Sequence, residues 1–304
     1  MTEHPLRLAV AINGYGLEHD DPEGVWREVL GWEELAGVAR LAEELGYESI
    51  FAPEIHGWEV FSMLAGFALI TERIGLVSGV VPIAARDRER LAMGASSLQE
   101  LSGGRFTLGV GSRDSVDRTR AALQDLRGLL THGQGYDPIV GDASETDWFT
   151  KPRPVRMFLA ALGPRMTALA GEQAHGVILN WATPERVAEA RATITERDDF
   201  TIAVYVRACL SHADERATGA LRVAALRYGA METYRRQFEA MGVDPSDADA
   251  IVAQTCVRGD RKAALERLGE YRDAGADIVV VYPVPAEEAV SSLKGTLMAA
   301  APRS

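Results

Sequence analysis

The chain has 304 residues, 47 % hydrophobic and 25 % charged, enough to bury a large core. A formal net charge of −12 argues against nucleic acid or an anionic membrane surface as the main partner, because acidic surfaces repel phosphate. Cys209 and Cys256 belong to no CxxC or Cys/His cluster, so no metal site is expected; no apolar stretch is long enough for a bilayer, and the N-terminal MTEHPLRLAV lacks the apolar core of a signal peptide, which points to the cytoplasm.

In chain order, short apolar runs alternate with amphipathic segments. LRLAVAI (6–12) is the first expected strand. WEELAGVARLAEELG (32–46) is the first expected helix: Leu35, Val38, Leu41, Ala42 and Leu45 recur at helical spacing, and Gly46 is a stop. ESIFA (48–52) and IGLVSGVV (74–81) follow as strands, then DRERLAMGASSLQELSGG (87–104) as a helix again ending in glycine. RFTLGVG (105–111), VRMFLAA (155–161) and HGVILN (175–180) read as strands, and Thr183-Pro184-Glu185 opens a helix reaching 197 with a cap residue and a first-turn proline. FTIAVYVRACL (200–210) and ADIVVVYP (276–283) bring the strands to eight, with RKAALERLGEYRDAGA (261–276) as the helix before the last. Most runs are continuously apolar, as in parallel strands covered by helices.

Two regions break the alternation. Residues 131–154 are polar and turn-rich and read as a loop; about 212–258 hold two or three helices with no intervening strand, an insertion before the last βα unit. Eight alternations without a dinucleotide-binding glycine fingerprint predict an α/β fold, a (β/α)8 TIM-type barrel, as a single domain over residues 1–304; an open doubly wound sheet is the alternative.

In such a barrel, chemistry belongs to the loops at the C-terminal ends of the strands. That rule selects Asn13 after the first strand, and Glu54, His56 and Trp58 after the second. It selects Ser78, Gly79 and Val80 at the third, Gly109, Gly111 and Ser112 at the fourth, Gly163, Pro164 and Arg165 at the fifth, and Asn180 and Trp181 at the sixth. Glu54 and His56 pair a carboxylate with an imidazole, suited to general acid and base work, or form a solvated loop pair beside a packing tryptophan. Trp58 is also placed to wall an aromatic ligand. Gly109 and Gly111 let a backbone approach a ligand, with Ser112 as a donor, or make a tight turn. Gly163-Pro164-Arg165 is a well-started helix or an anion site, since the N–H groups beyond a first-turn proline point outward.

Five stretches in order, LAEELGYESIFAPEIHGW, TERIGLVSGVV, SSLQELSGGRFTLGVGS, FLAALGPRMTALAGEQAHGVILNW and GDRKAALERLGEYRDAGADIVVVYP, resemble the bacterial-luciferase-like flavin and deazaflavin oxidoreductases over almost the whole chain. The resemblance implies a (β/α)8 barrel with a late insertion. Ala161-Leu162-Gly163-Pro164-Arg165 with the following Leu169-Ala170-Gly171-Glu172 resembles the coenzyme F420 branch, similar to methylene-tetrahydromethanopterin reductase, where this helix start helps hold the cofactor phosphate region. It implies hydride transfer between F420 and a carbon or imine of a small organic substrate, with Glu54 or His56 moving the proton, Gly111 and Ser112 near the phosphate tail, and Asn13, Asn180 and Trp181 as substrate or ring-edge contacts. It also implies a cis Gly79–Val80 peptide behind the ring, at a cost of about 3 kcal/mol, and a homodimer.

The sequence departs from the family pattern at three places. Pro53-Glu54 stands where deazaflavin relatives often have Asp-His, Arg86-Asp87-Arg88 stands where Arg-His-Pro is frequent, and the segment after Ser112 reads shorter than usual. Alternative readings are an FMN-dependent monooxygenase using reduced flavin and O2, and a non-catalytic flavin-binding relative.

Overall fold

All eight apolar runs form strands. They are β1 (Leu8–Ala11), β2 (Ser49–Pro53), β3 (Gly75–Pro82), β4 (Phe106–Gly111), β5 (Arg156–Ala160), β6 (Gly176–Asn180), β7 (Thr201–Cys209) and β8 (Ile278–Pro283). The structure is a computed structural model that describes residues 5–21, 24–55, 57–112, 114–132, 135–136, 143–144, 153–194, 197, 199–210, 215–286 and 288–302. Each strand pairs in parallel with its neighbour in sequence, and β8 pairs with β1 (Leu8↔Val279, Val10↔Val281). The ring is therefore a closed (β/α)8 barrel rather than an open sheet.

Helices α1 (Trp32–Glu44), α2 (Val60–Ile70), α3 (Arg88–Leu101), α4 (Val116–His132), α5 (Pro164–Gln173) and α6 (Pro184–Thr193) follow the first six strands. α7 (Glu215–Gly229), α8 (Glu232–Ala240) and α9 (Ala248–Thr255) form the insertion, and α10 (Arg261–Asp273) and α11 (Ala289–Ala300) flank β8. The glycine stops act as expected. Gly46, Gly103 and Gly275 have φ of 82°, 66° and 104°, a left-handed turn only glycine adopts cheaply. After each, an N–H reaches back into the last turn, as Tyr47 N–H does to the Ala42 carbonyl at 3.1 Å. α6 starts as expected, with the Thr183 hydroxyl accepting from Arg186 N–H, but stops at Thr193 rather than 197. Thr193-Ile194-Thr195 is a β-branched run, which loses side-chain freedom in a helix.

Two elements escaped the sequence pattern. Tyr15–Asp21 and Gly24–Val29 pair antiparallel between β1 and α1. Their polar composition hides them from an apolar-run search, although Asp21-Pro22-Glu23-Gly24 is a turn signature. The insertion also ends in a strand, Cys256–Arg258, which pairs with β7 outside the ring. Three residues are too few to show a period. Of the expected loop at 131–154, only short pieces lie among the described residues, including a pairing of Gly135–Tyr136 with Ala143–Ser144.

The core has three parts. One lies between strands and helices. A second fills the barrel with Phe51, Val77, Phe158, Ile178, Tyr205 and Val280. A third, under the insertion, gathers Trp181, Cys209, Leu221, Phe238 and Ile251. No helix among the described residues is long and apolar enough to cross a membrane.

Candidate active site

The C-terminal rim of the barrel is shaped by a bulge in β3. Ser78 is in register with Leu108 of β4, but Val81 is in register with Val110, so Gly79 and Val80 together oppose Gly109. The displaced backbone leaves Gly109 without β3 ladder partners. Ser78 replaces them: its hydroxyl accepts Gly109 N–H at 2.9 Å and donates to the Gly109 carbonyl at 3.2 Å. Ser78 is fully buried. A side chain on Gly109 would overlap the Ser78 carbonyl, and one on Gly111 would overlap the Val80 side chain. These glycines are thus required first by strand packing at the bulge.

The Gly79–Val80 peptide is trans, as is every other described peptide bond, which corrects the expected cis bond. The register shift itself produces the offset. Val80 is partly exposed, and its carbonyl accepts Glu54 N–H at 2.9 Å. On the other side of the bulge stands Tyr205 of β7, whose hydroxyl occupies the space where a Gly79 side chain would begin. That hydroxyl is buried with no hydrogen-bond partner, and burial raises its pKa far above the ordinary phenol range. It is an orphan donor, held protonated.

Glu54 is not aimed at this donor. Both its oxygens meet Arg86, which also reaches Glu59 at 2.5 Å. Arg86 is held above its usual pKa chiefly by the hydrogen bond to Glu54, with burial opposing. Glu59 caps α2 by accepting Phe61 and Ser62 N–H groups; burial opposes its ionisation, but these bonds and Arg86 outweigh it and lower its pKa. Glu54–Arg86–Glu59 is therefore a clamp between the loops after β2 and β3. His56 lies outside the described residues.

Trp58 is half-buried and tied into the packing: its indole N–H donates to the Leu30 carbonyl at 2.9 Å, its ring meets Trp32 at 6.2 Å, and Cδ1 would lie 2.8 Å from a side-chain carbon on Gly14. Ser112 closes the turn into α4. Its oxygen accepts Asp114 N–H at 3.0 Å and lies 2.7 Å from the Thr119 hydroxyl. The Thr119 hydroxyl is the donor to Ser112 and also lies 2.9 Å from the Ser115 carbonyl.

Gly163 sits at the N-terminus of α5 with no side-chain cap, and a side chain there would meet nothing within 4 Å. Arg165 is exposed and makes no ion pair or hydrogen bond with any described residue. The first turn thus offers outward N–H groups, the positive end of a helix and an exposed guanidinium, which suits a phosphate.

The rim beyond β6 to β8 was only partly foreseen. Asn13 donates to the Tyr282 hydroxyl at 2.9 Å. Asn180 donates to Tyr234 of α8 at 2.8 Å, which turns its carbonyl oxygen toward the Arg207 guanidinium, its hydrogen-bond partner. Trp181 is fully buried at φ 51°, a left-handed backbone costing on the order of 1–2 kcal/mol for a bulky residue. Gln237 of α8 holds it there by donating to the Asn180 and Trp181 carbonyls at 2.8 and 2.7 Å. Trp181 therefore supports the rim from beneath, with an unpartnered indole N–H.

Tyr205 and Arg207 were missed. Both alternate with Ala203 on the inner face of β7. Arg207 is 3 % exposed and lies over the rings of Tyr282, Trp181 and Tyr228 at 4.3, 4.5 and 5.1 Å. The available signal was a charge inside an otherwise apolar strand, FTIAVYVRACL.

The chain is 26 % identical over 294 residues to the 5,10-methylenetetrahydromethanopterin reductase of Archaeoglobus fulgidus, covering 81 % of this chain and 88 % of that one. It is 24 % identical to a putative coenzyme F420-dependent oxidoreductase of Mycobacterium tuberculosis, covering 83 % and 91 %. Its fold is similar to that of the coenzyme F420 dependent tetrahydromethanopterin reductase from Methanopyrus kandleri, with a TM-score of 0.72 at 18 % identity over 96 % of this chain and 97 % of that one. Residues 16–277 match the luciferase-like monooxygenase family, and with the barrel, the late insertion and the bulged third strand in place, the chain belongs to that family.

Proposed function

We propose that the protein is an oxidoreductase that transfers a hydride between deazaflavin coenzyme F420 and an electrophilic carbon of a small organic substrate. The observation that carries this reading is the pairing of an uncapped, unobstructed helix start at Gly163 with the orphaned Tyr205 hydroxyl behind the β3 bulge. The first suits a phosphorylated tail, the second a hydrogen-bond-accepting ring. The relatives named for F420 or for methylenetetrahydromethanopterin reduction support the same choice. When bound, the deazaflavin supplies the hydride chemistry.

The chain's own residues bind, position and exclude water. The N–H groups of the first turn of α5 and Arg165 hold the anionic tail. Val80 and Gly79 present a firm surface to the ring, and Tyr205, protonated throughout the physiological pH range, donates to it. Asn13 and Asn180, each fixed by a tyrosine, line the substrate side. Glu54 serves as a positioning residue through Arg86. Cytoplasmic location and a homodimer belong to this reading: Cys209 and Cys256 are buried and unbridged, as suits a reducing compartment, and Leu69, Met93 and Leu101 on α2 and α3 are exposed apolar side chains that a dimer contact would cover. Light scattering of the purified protein checks the assembly.

Deazaflavin fluorescence tests the cofactor. Arg165→Ala is expected to weaken F420 binding about tenfold, equivalent to about 1.4 kcal/mol, without lowering the melting temperature. Tight FMN binding without affinity for F420 would favour the monooxygenase reading and sink this one. Glu54→Gln is expected to cost roughly 0.5–1 kcal/mol in denaturant unfolding, as for a partly exposed ion pair, and to leave F420 affinity within about twofold. A large loss of affinity would instead return Glu54 to the cofactor site.

A further inference from the structure

Arg207 differs from the partly buried Arg105 and the buried Arg186. Arg105 spends its donors on the carbonyls of Ala68, Thr71, Ile74 and Ser102 and on the Thr71 hydroxyl. Arg186 meets the Leu162 carbonyl, the Thr167 hydroxyl and, at 3.6 Å, Glu189. Arg207, at least as enclosed, has one hydrogen bond among the described residues, to the neutral Asn180 oxygen, and no carboxylate partner. Among the described residues, five N–H donors on a buried cation thus face one hydrogen-bonded acceptor. The three rings stabilise the charge and fix the guanidinium plane, but they accept no conventional hydrogen bond.

The position is equally specific. Arg207 is on the inner face near the C-terminal end of β7, in register with Tyr282, beside the partly exposed Asn180. Asn180 is itself locked by Tyr234, so the receptor is preorganised. A planar oxyanion matches the fork geometry of guanidinium, and its charge is the missing compensation. We infer that Arg207 is the receptor for a carboxylate carried by the substrate, so that the hydride is exchanged with a small carboxylic acid or a close oxyanion analogue. Calling this ligand the substrate rests on the oxidoreductase reading above; the anion site itself does not.

The test uses the wild-type protein without cofactor, titrated with benzoate and with its neutral isostere benzamide, following tryptophan emission and melting temperature. Benzoate is expected to bind saturably, at least about tenfold more tightly than benzamide, and to raise the melting temperature. Arg207→Met is expected to fold, with a melting point at or above wild type because an apolar chain replaces an uncompensated charge, and to lose the discrimination. Arg207→Lys keeps the charge without the fork and is expected to retain only part of it. Equal binding of the two probes, no binding of either, or discrimination that survives in Arg207→Met would each overturn the inference. F420 binding is read separately by its own fluorescence. Failure there with benzoate still preferred removes the cofactor reading and leaves the anion site. An Arg207→Met effect on F420 affinity without benzoate preference assigns the cation to the cofactor and removes the inference.

Discussion

Gly79→Ala is expected to destabilise the protein by roughly 2–3 kcal/mol, the range of overpacking in a well-filled interior, and to abolish ligand binding at the rim. The new methyl would begin where the Tyr205 hydroxyl lies, with Pro53 N 3.3 Å away on the other side. Tyr205 cannot retreat easily, because its ring stands edge-on to Phe51 and Tyr282 at 5.8 and 5.5 Å. The clash is with one oxygen, so its removal should relieve it. Tyr205→Phe alone is expected to be neutral or to stabilise by about 0.5–1 kcal/mol, because the hydroxyl is buried without a partner. In the double variant most of the Gly79→Ala cost should disappear, giving a coupling of about 1–2 kcal/mol in a double-mutant cycle of denaturant unfolding. Strict additivity would show that the hydroxyl does not press on the bulge. Cofactor affinity should fall in Tyr205→Phe although stability does not, which separates a donor for a ligand from a structural hydroxyl.

Gly109→Ala is expected to be worse, about 3–5 kcal/mol, as for severe core changes with a named cause. Here the methyl would meet the carbonyl oxygen of Ser78, with its carbon next in line and the Ile178 side chain at 3.1 Å. No side chain can be trimmed to make room, because the obstacle is backbone. Ser78 is also the group that satisfies Gly109, so moving β3 away would break both hydrogen bonds. The check is soluble yield and melting temperature. A Gly109→Ala protein within 1 kcal/mol of wild type, an amount comparable to a surface change, would mean that the bulge yields readily.

The architecture was readable because parallel barrel strands are buried on both faces and therefore stand out as apolar runs. The glycine stops at Gly46, Gly103 and Gly275 are local decisions of the backbone, equally visible in one dimension. What was hidden depends on pairs distant in sequence. The β3 bulge is a relation between Ser78 and Gly109, and nothing in IGLVSGVV alone announces it. Glu54 looked available for proton transfer until Arg86, from the next loop, took both of its oxygens. Ser112 and Trp58 stand in loops after β4 and β2, where the structure gives their polar atoms turn and packing partners. Arg207 is the reverse case: its charge within β7 was visible, and only the enclosing rings and the absence of a carboxylate among the described residues give it meaning.

β8 lies between β1 and β7, and it is the strand whose arrival turns a curved sheet into a ring. Its Tyr282 also supplies the hydroxyl for Asn13, a ring under Arg207 and an edge for Tyr205. The binding mouth is therefore unfinished until β8 is in place between β1 and β7. Closing it takes contacts spanning some 270 positions, such as Leu8 with Val279, the class of long-range pairing that costs most chain entropy, and without β8 the facing edges of β1 and β7 have no partner strand.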